Sequence, residues 1–163
     1  MEERKEPKQK VQRKKILFVC TGNTCRSPMA EAALRKELRK RKITGYTVSS
    51  AGLRAETGSA LSPHSAQALS EAKITVNKSF KPKQLTEKLV KGAYIVICMT
   101  ENQQRALEHY PNVTSFPALC GREIPDPYGQ AIDVYRVTLR RIRECLPRII
   151  EKFCTDTKTE ENL

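Results

Sequence analysis

The sequence predicts an α/β fold with a parallel sheet, because short apolar runs alternate along the chain with segments of helical periodicity. Two of these runs, residues 16–20 and residues 94–99, are apolar throughout, which is typical of parallel strands buried on both faces. Shorter runs at residues 46–50 and 113–116 complete four predicted strands. Ligands of such sheets bind beyond the carboxyl ends of the strands, so a functional site is expected in the loops that follow them.

Helices are predicted between the strands and after the last of them. Ser27, Ser62 and Thr100 are expected N-caps, with Pro28 at the first helical position and Glu31 in the first turn. Pro147 is expected to kink or split the last helix. The predicted helices cover residues 29–42, 63–72, 86–90, 101–110 and 132–153, and a turn-rich loop is expected at residues 117–129.

The chain of 163 residues has the length of one domain. Residues 1–15 and residues 155–163 are polar and cannot bury enough apolar surface to offset the entropy of ordering, so both are predicted to be disordered tails. The compact domain is then expected at residues 16–154.

Charge and cysteine usage limit the partners and the compartment. The net charge of +12 attracts anions, but it does not distinguish phosphoproteins from nucleic acid or an acidic membrane surface. No apolar run is long enough for a signal peptide or a membrane span, so the protein is expected in the cytoplasm with its six cysteines as reduced thiols. No cofactor and no metal site are expected.

The segment that carries the chemistry begins at residue 19 and reads Val-Cys-Thr-Gly-Asn-Thr-Cys-Arg-Ser-Pro. Cys20 ends the first strand and Arg26 opens the next helix. The tight loop between them turns backbone N–H groups inward as an anion nest, the helix N-terminus adds its positive end, and the Arg26 fork binds two phosphate oxygens. These surroundings favour the thiolate of Cys20, a nucleophile beneath a phosphate cradle. The expected phosphate-binding residues are Thr21, Gly22, Asn23, Thr24, Cys25, Arg26 and Ser27.

Two further residues are expected to assist this reaction. Ser27 can donate a hydrogen bond to the sulfur of Cys20 and stabilise the departing thiolate. Asp126, in the segment Ile-Pro-Asp-Pro-Tyr-Gly, is the candidate general acid, and Tyr128 is expected to form a wall of the cleft. The alternatives are a buried core thiol at Cys20 and an ordinary Asp-Pro turn at Asp126.

These motifs resemble the low-molecular-weight protein tyrosine phosphatase family over about residues 15–154. The segments 50–52 (Ser-Ala-Gly) and 99–100 (Met-Thr) look like further landmarks of that family. The resemblance implies a three-layer sandwich with helices on both faces of a four-stranded parallel sheet. It also implies that Asn23 supports the loop through hydrogen bonds, with Ser50 as a partner. Many members carry a His near Lys78 that braces this Asn, so the bracing is expected to differ here.

Within that family the chain resembles protein arginine phosphatases more closely, because these carry Thr at the position of Thr24 where tyrosine phosphatases usually carry Ile or Leu. The segment from Asp126 through Tyr128 and Gly129 to residues 132–135 (Ile-Asp-Val-Tyr) also resembles that subgroup. The resemblance implies a polar pocket wall that suits phosphoguanidinium, with Asp126 also pairing with the substrate. The alternative is a tyrosine phosphatase in which Thr24 is a neutral variant. The expected partners are phosphorylated proteins, and a monomer is expected.

Cys25 and two other functions complete the expectations. Cys25 lies close enough to Cys20 for a reversible disulfide that would protect the nucleophile, or it is a small buried thiol. An arsenate reductase would need a later pair of closely spaced cysteines, which Cys98 and Cys120 do not provide. A non-catalytic module that binds phosphate or nucleic acid is permitted by the charge but not favoured, since aromatic residues make up only 6% of the chain.

Overall fold

A four-stranded parallel sheet forms the centre of the protein, whose computed structural model describes residues 12–155. The strand order is β2-β1-β3-β4, and each neighbouring pair is parallel. The predicted fold class is confirmed. The strands are β1 (Lys14–Cys20), β2 (Tyr46–Gly52), β3 (Ile95–Cys98) and β4 (Val113–Ser115).

Helices cover both faces of the sheet. The even-numbered residues Ile16 and Phe18 of β1 enter a hydrophobic cluster with one group of helices, whereas the odd-numbered Leu17 and Val19 enter a second cluster on the opposite face. The result is the expected three-layer sandwich. The helices are α1 (Arg26–Lys40), α2 (Pro63–Glu71), α3 (Glu87–Gly92), α4 (Glu101–Ala106), α5 (Phe116–Cys120) and α6 (Ile132–Phe153).

Strand β1 marks the point where the strand order reverses. The chain passes from β1 to β2 on one side and later to β3 on the other. A crevice opens at the carboxyl end of such a central strand, because the connections leave it in opposite directions. Cys20 is the last residue of β1 and pairs in register with Gly52 of β2.

The start of α1 differs from the prediction. The helix begins at Arg26 after an N-cap at Cys25 that makes no side-chain capping bond, so the predicted cap at Ser27 is wrong. The hydroxyl of Ser27 is instead bonded inside the site. Glu31 accordingly lies beyond the first turn, which contains no acidic residue. The predicted caps at Ser62 and Thr100 are confirmed, each side chain accepting a backbone N–H.

The structure corrects one prediction for the last third of the chain and excludes part of another. Residues 116–120, assigned mostly to a loop, form α5, because Pro117 lies in the first helical turn where its missing N–H carries no penalty. Helix α6 is not split at Pro147 but runs over 22 residues. Pro147 and Arg143 lie on the exposed face, so water can bind the backbone carbonyl that the proline leaves unpaired.

The expectation that every cysteine is reduced is also wrong. Cys120 at the end of α5 forms a disulfide with Cys145 of α6, with a Cα–Cα distance of 6.0 Å. The pairing could not be anticipated because α5 was not predicted. The free thiols in the described residues are Cys20, Cys25, Cys98 and Cys154.

The predicted domain boundaries fall near the ends of the described chain. Strand β1 begins at Lys14, two residues before the predicted domain start, and Cys154 at the other end is buried. The tail predictions for residues 1–11 and 156–163 lie outside the described residues.

Candidate active site

Cys20 and Arg26 enclose the predicted loop at the carboxyl end of β1. Cys20 is only 2% exposed and lines a cavity of about 640 Å³, and Arg26 is 4% exposed. Residues 20–26 are called the phosphate loop below. The structure thus brings together the two residues that sequence analysis placed at the centre of the site.

Two carbonyl groups of the phosphate loop accept backbone N–H groups from the segment between β2 and α2. The N–H of Arg54 donates to the carbonyl of Thr21 at 2.8 Å, and the N–H of Ser62 donates to the carbonyl of Thr24 at 2.9 Å. In a planar trans peptide the N–H points opposite to the carbonyl. The N–H groups of these two peptide units therefore point away from these bonds and remain available to an anion nest.

Asn23 supports the middle of the phosphate loop. Its φ of 58° lies in the left-handed region, which Asn tolerates better than most residues. Its amide donates to the hydroxyls of Ser27 and Ser50 at 2.9 Å each, and its Oδ1 accepts the backbone N–H of Lys83 at 3.0 Å. The expected contact with Ser50 is present, and the backbone of Lys83 provides the bracing that Lys78 cannot.

Ser27 connects Asn23 to the nucleophile. Its Oγ lies 2.9 Å from the Sγ of Cys20. Because this oxygen already accepts a hydrogen bond from Asn23, its own proton is available to the sulfur. The geometry therefore provides the hydrogen bond to the thiolate that the sequence predicted.

A buried carboxylate, which sequence analysis did not place in the site, ends the same chain of hydrogen bonds. The hydroxyl of Ser50 donates to Glu31 Oε1 at 3.3 Å. Burial raises the pKa of Glu31, and the charge of Arg35, 3.7 Å away, is the largest opposing influence. No sequence signal distinguishes Glu31 from other helical acids, since its partners lie on other elements.

Gly52 allows β2 to approach the phosphate loop. A Cβ atom at this position would lie 2.7 Å from the carbonyl oxygen of Thr21 and 2.9 Å from the carbonyl carbon of Gly22. Both are backbone atoms, so any larger residue would displace the loop. The Ser-Ala-Gly landmark contained this residue, but its steric role is visible only in the structure.

Arg26 joins the two halves of the site. Its Nη1 donates to the carbonyl of Ile124 at 3.1 Å, and its Nη2 lies 3.5 Å from Thr21 Oγ1. The same Nη2 lies 3.7 Å from Oδ2 of Asp126. The guanidinium is thus fixed before any substrate binds, close to the candidate acid.

Asp126 lies at the edge of the cavity in the acid loop, residues 121–131 between α5 and α6. Its side chain is 52% exposed. Oδ1 accepts the backbone N–H of Tyr128 at 3.1 Å, which forms a local turn and leaves Oδ2 toward Arg26. Tyr128 is 76% exposed and lines the cavity mouth, in agreement with its predicted place at the wall.

Several residues of the cavity wall were missed by sequence analysis. Most of them follow β2 or lie at the start of α2, so no local motif connects them with Cys20. Tyr135 of α6 is 3% exposed, and its hydroxyl lies 3.6 Å from Cys25 Sγ. The missed lining residues are Arg54, Glu56, Ser59, Ala60, Ser62 and Pro63, whereas Gly129 and Tyr135 belong to the pattern that resembles arginine phosphatases but were given no place in the cavity.

The remaining thiols lie in protein core. Burial, and to a lesser degree the neighbouring Cys20, raises the pKa of Cys98 to about 12. Burial raises the pKa of Cys154 to about 11. Both therefore stay protonated at neutral pH and are poor nucleophiles.

Residues 12–155 lack two other kinds of feature. None of the helices in this part of the chain is both long and apolar enough to cross a membrane. The same residues contain no group of three or more His, Cys, Asp or Glu side chains placed to hold a metal ion.

Comparisons with known proteins agree on one family. The family model for low molecular weight phosphotyrosine protein phosphatase matches residues 15–160. The protein-arginine-phosphatase of Bacillus subtilis (strain 168) is 33% identical over 151 residues, covering 88% of this chain and 99% of the relative. The low molecular weight protein-tyrosine-phosphatase PtpB of Staphylococcus haemolyticus (strain JCSC1435) is 34% identical over 138 residues, covering 78% and 91%.

Solved structures show the same similarity. A mutant of the YwlE arginine phosphatase with a phosphorylated active-site serine matches with a TM-score of 0.79 at 32% identity. The match covers 88% of this chain and 97% of that chain.

Proposed function

The chain belongs to the low molecular weight phosphotyrosine protein phosphatase family, and we propose that within this family it hydrolyses phosphoarginine in proteins. Membership makes it a cysteine-dependent protein phosphatase. Relatives named for arginine and for tyrosine are 33% and 34% identical to it. The choice between the two substrates therefore depends on the pocket itself.

Thr24 is the observation that carries the arginine assignment. Its side chain lines the cavity above Cys20, with Oγ1 3.6 Å from Cys25 Sγ. A hydroxyl gives this wall hydrogen-bonding capacity, which suits the N–H groups of a phosphoguanidinium and an attacking water. A larger aliphatic side chain would instead suit the flat ring of phosphotyrosine. Asp126 at the edge of the cavity adds a carboxylate that can pair with the guanidinium.

In the first step of the proposed reaction, the Cys20 thiolate attacks phosphorus. An S–P bond forms while the P–N bond to the arginine side chain breaks. Arg26 and the N–H groups of the phosphate loop hold the phosphoryl oxygens, and Asp126 protonates the departing nitrogen. The related YwlE mutant with a phosphorylated active-site serine supports a covalent intermediate at this position.

In the second step, water attacks the phosphorus of the cysteinyl-phosphate and the S–P bond breaks. Asp126, now ionised, accepts the proton from water. The electron pair returns to the sulfur of Cys20, where the hydroxyl of Ser27 at 2.9 Å stabilises the thiolate. Inorganic phosphate then leaves through the cavity mouth.

Phosphotyrosine is the second candidate substrate. The similarity to PtpB favours it, as does the exposed ring of Tyr128 at the cavity mouth, where an aryl substrate could stack. The arsenate-reductase alternative loses support, because Cys98 is buried and Cys120 is paired with Cys145. A binding module would not require the hydrogen-bonded thiol of Cys20.

Further proposals concern redox regulation, cellular location, oligomeric state and partners. Cys20 and Cys25, both free thiols here, are proposed to form a reversible disulfide when a peroxide oxidises the nucleophile. Thiol labelling after peroxide treatment of wild type and Cys25→Ser tests this, and equal irreversible oxidation of both would contradict it. A cytoplasmic monomer with a catalytic domain at residues 16–154 and phosphorylated proteins as partners completes the proposal.

Phosphate release from a phosphoarginine protein and from a phosphotyrosine peptide, measured in parallel, tests the assignment. Wild type is expected to prefer phosphoarginine. Thr24→Ile should lower the phosphoarginine-to-phosphotyrosine ratio of kcat/KM on the order of 100-fold, because the polar wall is lost. Thr24→Ser is the matched control and should retain most of the preference. A wild-type preference for phosphotyrosine would replace the arginine assignment with the second candidate.

A further inference from the structure

A polar row extends along the cavity wall beyond Thr24. Thr24 Oγ1 and the Tyr135 hydroxyl each lie 3.6 Å from the Sγ of Cys25. Thr24 and Cys25 are neighbours in sequence, whereas Tyr135 comes from α6, 110 residues after Cys25. All three residues line the cavity that contains Cys20. The wall thus presents two hydroxyl groups and a thiol in succession.

The ring of Tyr135 is fixed independently of its hydroxyl. It is 3% exposed and packs edge-on against His64 of α2, with ring centroids 5.1 Å apart and an interplanar angle of 84°. A phenylalanine would fill this space and keep this contact. Packing therefore does not account for the oxygen atom, which contacts the Sγ of Cys25, another residue of the cavity wall.

The surroundings of that hydroxyl keep it protonated. Burial raises the pKa of Tyr135, the contact with Cys25 and the charge of Asp126 raise it further, and a hydrogen bond with Ser62 opposes the rise. A neutral phenol can both donate and accept a hydrogen bond. Tyr135 and the candidate acid Asp126 line the same cavity.

The two possible substrates use such a wall differently. A phosphoguanidinium presents N–H donors around its plane, and buried acceptor oxygens can pair with them. A phenyl ring has no donors, so it would remove water from the hydroxyls without replacing the lost hydrogen bonds. Sites that are built to hydrogen-bond a substrate reject analogues that lack the matching groups for this reason.

We propose that Tyr135 is a specificity-determining residue, whose hydroxyl extends the polar wall begun by Thr24 and favours a phosphoguanidinium over an aryl phosphate. This inference rests on the proposed function, since it explains a preference for phosphoarginine. In this proposal Asp126 binds the substrate cation at the edge of the cavity, whereas the Tyr135 hydroxyl binds the phosphoguanidinium from the cavity wall.

Tyr135→Phe removes the hydroxyl and leaves the ring. The phosphoarginine-to-phosphotyrosine ratio of kcat/KM should fall on the order of tenfold, the size expected for one hydrogen bond to a charged group. The loss should lie mainly in KM for phosphoarginine, because a wall contact is made in the ground state as well as in the transition state. The control is Tyr110→Phe, which removes a phenol hydroxyl outside this cavity and should leave the ratio unchanged.

The wild-type measurement separates the two claims. If wild type prefers phosphotyrosine, the proposed function fails and this inference fails with it. If wild type prefers phosphoarginine but Tyr135→Phe keeps the wild-type ratio, only this inference is overturned. An equal fall of both rates, or a lower melting temperature with an unchanged ratio, would assign Tyr135 a structural role and likewise overturn it.

Discussion

The side chains that hold and act from the phosphate loop are buried and bonded from several sides, whereas the acid loop across the same cavity is mostly exposed and its acid is held by few contacts. Cys20, Asn23, Arg26 and Ser27 are between 0% and 4% exposed. The side chain of Asp126, by contrast, is 52% exposed, and its bonds are one local turn and one ion pair of 3.7 Å. The reactive side chains of the phosphate loop are therefore held by more contacts than the side chain of Asp126 in the acid loop.

The difference corresponds to what each loop must do under the proposed function. The phosphoryl group is the same in every substrate, so a fixed cradle can be complementary to its transition state. The leaving group belongs to a protein chain of variable sequence and must enter and depart past Asp126. A loop with few contacts permits that passage. Arg26 still holds the loop at the cavity by donating a hydrogen bond to the carbonyl of Ile124.

The largest expected effect is in the phosphate loop. Cys20→Ser should reduce phosphate release to background on both substrates, because a serine hydroxyl is not ionised at neutral pH and is a poor nucleophile. Arg26→Ala should do the same by removing the fork beneath the phosphate. Cys154→Ser, which replaces a buried thiol outside the cavity, is the control. Clear residual turnover in Cys20→Ser would exclude the cysteinyl mechanism.

A smaller effect is expected in the acid loop. Asp126→Asn should lower kcat on the order of 10²- to 10⁴-fold, since an amide cannot protonate the leaving group. Its melting temperature should stay close to that of wild type, because the Asp126 end of the ion pair is 52% exposed and a pair screened by solvent in this way contributes only about 0–1 kcal/mol. Asp133→Asn, which changes an exposed carboxylate on α6, is the comparison. An unchanged kcat in Asp126→Asn would place the acid elsewhere.

The phosphate loop could be predicted from sequence largely because its chemistry is local. Cys20, Thr24 and Arg26 lie within seven consecutive residues between a strand and a helix. Asp126 lies a hundred residues beyond Arg26, yet its place was predicted from a short Pro-Asp-Pro motif that can present a carboxylate. What the motif could not reveal was the carbonyl of Ile124, which anchors this loop on Arg26.

Contacts between distant elements escaped sequence analysis. Lys83 supports Asn23 through its backbone N–H, so its side chain carries no signal. Tyr135 reaches the cavity wall only because α6 packs against α1 and α2. Ser27 was taken for a helix cap, a role its residue type and position allow, whereas the structure uses the same hydroxyl inside the site.

Asn23→Ala tests whether the rigidity of the phosphate loop depends on its buried amide. The variant leaves Ser50 and the N–H of Lys83 without their partner and places alanine at a φ of 58°, so unfolding should require about 2–4 kcal/mol less. kcat/KM should fall about tenfold or more as the cradle loses its shape.

Asn23→Gly separates the two causes, since glycine adopts this φ without strain. It should recover about 1–2 kcal/mol relative to Asn23→Ala and leave activity low. Full activity in either variant would show that the backbone bonds of the loop suffice without Asn23.

Loss of the disulfide between α5 and α6 should lower the free energy of unfolding without much change in kcat. Cys120→Ser removes the disulfide to Cys145, which closes a chain segment that includes the acid loop, and should lower the free energy of unfolding by about 2–4 kcal/mol. kcat should change by about twofold or less, because Ile124 keeps its bonds to Met99 and Arg26. A dithiol reductant should reproduce the change in wild type and have no effect on the variant.

The smallest expected effect concerns the pH dependence of stability and Glu31. Because burial raises the pKa of this carboxyl in the folded state, its contribution to stability is present below the ordinary pKa of 4.5 and is lost as pH rises through the folded-state value. Glu31→Gln keeps an oxygen that can accept the hydrogen bond from Ser50 but cannot ionise. Urea unfolding from pH 4 to pH 8 should therefore show a smaller loss of stability with rising pH in the variant than in wild type. Identical slopes would mean that Arg35 fully compensates the buried charge, and that the hydrogen-bonded support of the phosphate loop is insensitive to pH over this range.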